Sequence, residues 1–145
     1  MKILHFVLIA IAALALLVSG GLLYFEYFAN PRILRELIED PDGELAQRVM
    51  LVTLPSGRRI PVNYLRESNR VYAAADGRWW KELVGDDFPV TVLVRGETLT
   101  GQARAVLDDP AYTKAVFARL RPNAVPGFGT LIEVRLDEAD GAAGE

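Results

Sequence analysis

The chain has no cysteine, and its one histidine, His5, lies at the start of a long apolar run. The first absence removes disulfides, thiolate metal sites and cysteine nucleophiles together. The second removes histidine triads and histidine-ligated metal or haem sites from everything downstream. Neither a glycine-rich dinucleotide fingerprint nor a phosphate-binding P-loop motif is present. The paired acids Asp86-Asp87 and Asp108-Asp109 are adjacent rather than facing, which suits turns and helix caps better than acid–base work. No metal-ligand set, catalytic residue or proton donor can therefore be named.

Charge is missing from one stretch altogether: Ile3 to Phe25 carries no charged residue, and only His5 and Ser19 interrupt it. As a helix these residues would be roughly 34 Å long, against a hydrocarbon core of about 30 Å. The run reads as a single-pass anchor, followed by Tyr24, Phe25, Tyr27 and Phe28 as an interfacial aromatic belt. The rival reading is a secretory signal peptide, with Lys2 as its charged end and Val18-Ser19-Gly20 as a cleavage site. Orientation is close to a tie, because Lys2 and the amino terminus compete with Arg32 and Arg35. The expectation is a cell-membrane protein with its soluble domain facing the cytoplasm. Beyond the run, all nineteen acidic residues stand against the sixteen basic ones less Lys2, about −4 formally, which does not suggest a nucleic-acid partner.

Asn30-Pro31 is a good helix start, and a short amphipathic helix to about Glu39 is expected, with Ile33, Leu34, Leu37 and Ile38 on one face. It would lie on the membrane surface or pack on the domain. The cluster Asp40-Pro41-Asp42-Gly43 then breaks the chain. Strand signals follow at Val49 to Leu54, Ile60 to Leu65, Val71 to Ala75 and Val90 to Val94. After Gly96, the row Leu99, Gly101, Ala103, Ala105, Leu107 alternates with Thr98, Thr100, Gln102, Arg104, Val106, a long strand whose small residues suit a tightly curved sheet. Asp109-Pro110 opens a helix to about Leu120, striped by Tyr112, Val116 and Leu120, and a last strand is expected at Thr130 to Leu136. The fold class is α+β: a small split β-barrel of about six mainly antiparallel strands with one or two helices, preceded by a transmembrane helix. Residues 1–28 are the expected anchor, 29–46 a juxtamembrane helix and turn, 47–137 the barrel, and 138–145 a disordered tail.

Two features inside the barrel region carry possible chemistry. Arg58, Arg59, Arg66, Arg70, Arg78 and Lys81 face only Glu67 and Asp76 between Ser56 and Lys81, a basic window in an acidic domain. A Ser56-Gly57 turn followed by two arginines offers N–H groups, a hydroxyl and guanidinium forks, the donors a phosphate-bearing ligand needs; the plainer alternative is a hairpin turn with solvated arginines. Trp79 and Trp80 are adjacent, so they cannot both face the core equally, and one could border a flat ring; alternatively the pair plugs a barrel end.

The order of strand, Ser56-Gly57-Arg58-Arg59 turn, strand bearing Pro61, small strand end Ala74-Ala75-Asp76-Gly77, Trp79 and two long strands resembles the split β-barrel deazaflavin-dependent nitroreductase/quinone reductase family over roughly residues 49–106. The resemblance implies that Ser56, Gly57, Arg58, Arg59 and Pro61 hold a cofactor phosphate. It also implies that Ala75, Asp76, Gly77, Trp79 and Trp80 flank the cofactor, deazaflavin or FMN. It further implies a homodimer and quinone-like or nitroaromatic acceptors, and membrane lipid would be the anchor's own partner. Three departures stand out: the usual insertion between the glycine and the tryptophan is missing, no proline precedes Trp79, and Lys81-Glu82-Leu83 replaces the family's Asn-Leu. The shortened segment favours a second reading, a non-catalytic barrel serving as a membrane-tethered binding or scaffold module.

Overall fold

The computed structural model describes residues 1–24 and 30–138. Phe25, Tyr27 and Phe28 of the expected aromatic belt, and the tail from residue 139, lie outside them. The chain divides into two compact units, Met1–Arg35 and Glu36–Glu145.

In the first unit, α1 (Lys2–Tyr24) is a continuous helix. Its segment Lys2–Gly20 is long and apolar enough to cross a membrane, and none of it is buried in protein. Branched and straight aliphatic side chains all round a helix, with no polar face, leave it without an aqueous surface to present. A second helix, α2 (Asn30–Glu39), begins at the Asn30-Pro31 pair and runs across the division between the units. Within the second unit its Leu37 is buried and its Ile38 exposed.

The second unit opens on α3 (Glu44–Arg48), whose Ala46 is buried and accepts a hydrogen bond from the Tyr64 hydroxyl at 3.3 Å. Six strands follow: β1 (Val49–Thr53), β2 (Arg59–Glu67), β3 (Arg70–Ala75), β4 (Phe88–Val94), β5 (Glu97–Val106) and β6 (Thr130–Leu136). They close into a barrel in the order β1-β2-β3-β6-β5-β4, and every neighbouring pair is antiparallel. The expected α+β barrel is therefore present, with all its strand pairs antiparallel. A 3-10 helix (Arg78–Leu83) lies between β3 and β4, and α4 (Pro110–Leu120) between β5 and β6. Asp109 caps α4 by accepting from the Tyr112 N–H at 3.0 Å, and Pro110 takes the first turn, where its missing N–H costs nothing.

The barrel interior is filled by alternate residues such as Met50, Val52, Val71, Ala73, Val92, Ile132 and Val134, joined by Trp79 and Leu83 from the 3-10 helix. On β5 the small row does face inward at Gly101 and Ala103. A Cβ on Gly101 would stand 2.5 Å from the Arg135 carbonyl oxygen, so this glycine sets how closely β5 and β6 approach. The opposite row is not wholly solvated. Val106 packs with Tyr72, Val116 and Leu131 in a second cluster outside the barrel, beneath α4. Because β3 and β6 are covered on both faces, their sequences read as nearly unbroken buried runs rather than as alternation.

Candidate functional site

The turn between β1 and β2 is closed by backbone bonds from Gly57 N–H to the Leu54 carbonyl (2.8 Å) and from Leu54 N–H to the Arg58 carbonyl (2.9 Å). The Ser56 hydroxyl accepts from the Arg58 N–H at 3.4 Å and donates to Glu82 Oε2 at 3.0 Å. Arg58 Nη1 lies 3.9 Å from the other carboxylate oxygen of Glu82. The 3-10 helix thus brings its own carboxylate to the donors expected to hold a phosphate. Arg59, one residue on, is exposed at the first position of β2 opposite Thr53, and Pro61 is half-buried opposite Leu51. Arg58, in the turn just before β2, reaches Glu82, whereas Arg59 enters the strand.

The second half of the expected site separates in the same way. Ala75 is buried, and the exposed Asp76 pairs with Arg121 Nη1 at 2.9 Å. Gly77 leads into the 3-10 helix. Trp79 is 7% exposed and belongs to the barrel core, while Trp80 is half-buried with Lys81 Nζ 5.9 Å from its ring centre. An indole packed in the core has no face left for a cofactor ring. As arranged, Ser56 and Arg58 face a carboxylate, so an incoming phosphate would meet Glu82 at van der Waals range with like charge. The residues present do not fit a phosphate-bearing flavin group while Glu82 keeps this position.

Two further clusters lie around α4, and neither was singled out in the sequence. Glu133 is the one buried charged side chain among the described residues. Arg104 Nε donates to its Oε1 at 3.3 Å and the Tyr112 hydroxyl donates to its Oε2; the Tyr112 and Tyr72 hydroxyls lie 2.8 Å apart. Burial raises the Tyr112 pKa above its ordinary value, and its hydrogen bonds to Glu133 and Tyr72 add to the rise. On the far side of β2, Arg119 of α4 forks onto Glu67 at 2.7 and 3.1 Å. The network seats α4 on the barrel. Its sequence signal is one acid in the middle of an apolar strand, Leu131-Ile132-Glu133-Val134.

The other cluster is a groove of about 660 Å³ between α4 and the loop that follows it, walled by Leu107, Phe117, Val125 and Phe128, with Lys114 and Arg121 beside them. Gly129, at φ +85°, sits where a Cβ would come within 2.9 Å of Asp76 Oδ1 and 3.0 Å of Arg121 Nη1. The left-handed backbone there favours glycine, and a side chain would push on that ion pair. The groove contains none of the residues expected to hold a cofactor.

No protein-family model matches the chain, and no curated protein matches it. Among solved structures, General Stress Protein 26 from Bacillus anthracis str. Sterne is similar at 19% identity, over 72% of this chain and 89% of that one, with a TM-score of 0.41. A superposition that loose carries no argument; the barrel rests on the strand order and pairing given above.

Proposed function

We propose that the chain is a membrane-tethered barrel module that works by binding, without a resident flavin-type cofactor. The observation that carries this reading is Glu82. Its carboxylate takes up the Ser56 hydroxyl and the Arg58 guanidinium, the donors a cofactor phosphate would need. It stands, moreover, in the segment where the sequence departs from the nitroreductase-like pattern. The apolar helix Lys2–Gly20 supports the tether. The test is the visible absorbance of full-length protein purified in mild detergent, followed by titration with FMN and with a deazaflavin. The expected result is a colourless protein and no saturable spectral change; a bound chromophore or a saturable titration overturns the reading.

One observation favours the other reading, a membrane-anchored, dimeric oxidoreductase of quinone-like or nitroaromatic acceptors. The turn has the chemistry to hold an oxyanion, since it holds the one Glu82 supplies. Under this second reading the cytoplasm-facing domain would carry FMN or a deazaflavin, and Glu82→Ala would strengthen cofactor binding. Under the first, Glu82→Ala leaves the spectrum unchanged.

A further inference from the structure

The barrel has one weak seam. β1 and β4 meet through the shortest ladder of the six, in which Leu51, Val52 and Thr53 face Leu93, Val92 and Thr91. β1 begins two residues earlier, at Val49, and β4 runs one residue further, to Val94. Over that end neither strand has a ladder partner in the other, the condition under which a sheet edge opens.

The segment that leads into β1 lies at the same end. On one side its Pro41 meets the two-residue turn that joins β4 to β5: a Cβ on Gly96 would stand 2.7 Å from the Pro41 Cβ, and Arg95 Nη2 lies 3.6 Å from Asp42 Oδ1. Arg95 and Gly96 both have positive φ, 48° and 79°, the twist a tight hairpin turn demands, so the turn offers Pro41 a fixed surface. On the other side α3 reaches β2, where the Tyr64 hydroxyl donates to the Ala46 carbonyl at 3.3 Å. Leu37 and Ala46 are buried. The segment is also tied to itself, by the Gly43 N–H on the Asp40 carbonyl at 3.1 Å and by Gln47 Nε2 on the Asp42 carbonyl at 3.2 Å. β2 and β4 are the two neighbours of β1. One short segment thus touches both neighbours of the strand it enters, where the seam is unpaired.

We propose that residues 36–48 act as a strap that keeps the β1–β4 seam shut. Lifting the strap frees the seam first and loosens Met50, Val52 and Val92, the core side chains of its two strands. β3, β6 and β5, joined by longer ladders, stay closed. The inference concerns the barrel unit alone and holds whichever partner the barrel binds.

Hydrogen–deuterium exchange of the full-length protein in mild detergent reads each ladder separately. Ala46→Asp forces an unpaired carboxylate into the buried position under Tyr64 and is expected to speed exchange at residues 51–53 and 91–93 by more than about tenfold. Tyr64→Phe keeps the ring and removes one hydrogen bond, and is expected to speed exchange at the same residues by about fivefold. Residues 71–75 and 131–134 keep their parent rates in both variants. Acceleration spread evenly over all six strands overturns the proposal, since the segment then adds only to global stability. Acceleration confined to residues 36–48 overturns it as well, since the seam then closes without the strap. If Ala46→Asp fails to fold, Tyr64→Phe decides alone, and an unchanged seam in that variant refutes the strap.

Discussion

Two arginine–glutamate pairs in the barrel unit have the same chemistry and opposite settings. Arg58 meets Glu82 at 3.9 Å at the rim, with both side chains reached by solvent. Arg104 meets Glu133 at 3.3 Å on the barrel wall, where Glu133 is buried beneath Tyr72 and Tyr112 of the α4 contact. In water each partner of the rim pair has alternatives, so the pair can open at little cost. A buried carboxylate has none, and the part-buried Tyr112 hydroxyl aimed at it loses its acceptor if it is removed. The rim pair therefore adds little to the stability of the fold, and the wall pair fixes α4.

The largest test removes the wall carboxylate. Glu133→Ala should destabilise the barrel unit by about 2–3 kcal/mol, because the Tyr112 hydroxyl and the Arg104 guanidinium lose their shared acceptor and a buried side chain is removed. At ~4–8 °C per kcal/mol for a domain of this size, the melting temperature should fall by at least about 8 °C. Glu133→Gln, which still accepts, should cost less. Equal losses in the two variants would mean that shape rather than hydrogen bonding holds α4.

A smaller effect should separate the two settings by pH. The raised Tyr112 pKa means the fold favours the neutral phenol. That contribution is complete below the unfolded value of about 10 and is lost as pH rises from there toward the folded pKa. Chemical denaturation between pH 8 and 11 should show stability falling above pH 10, and Tyr112→Phe should flatten the fall while being less stable at pH 8 by about 1 kcal/mol. An unchanged alkaline slope in the variant would place the titrating group elsewhere.

The smallest expected effect belongs to the rim. A double-mutant cycle with Arg58→Ala and Glu82→Ala should give a coupling of about 0.5 kcal/mol, reduced further at high salt. A coupling as large as that at Glu133 would erase the contrast between the pairs and make Glu82 a structural residue.

Local sequence was enough wherever one residue type settles a local question. An uncharged run from Ile3 to Phe25 has few alternatives to a long helix. Asp109-Pro110 caps α4 because its short carboxylate reaches the Tyr112 N–H and proline needs no donor there. The six strands follow from runs broken at turns, and β6 begins and ends where the pattern put it. The five-residue α3 escaped because it is shorter than the periods by which helices are read. Val106 was grouped with the outward row, since nothing local says that α4 will cover that face.

The candidate site divides the same way. The sequence determined that Ser56, Gly57 and Arg58 form a turn rich in donors, because glycine and a short hydroxyl act on their own neighbours. It could not determine what those donors meet: Glu82 is 26 positions from Ser56 and reaches it only once the 3-10 helix is folded against the barrel. Tertiary structure likewise put Trp79 in the core, set Glu133 under α4, and gathered Leu107, Val125 and Phe128 along one groove. Backbone preferences act over a few residues, whereas burial and charge pairing depend on which distant segments close the barrel.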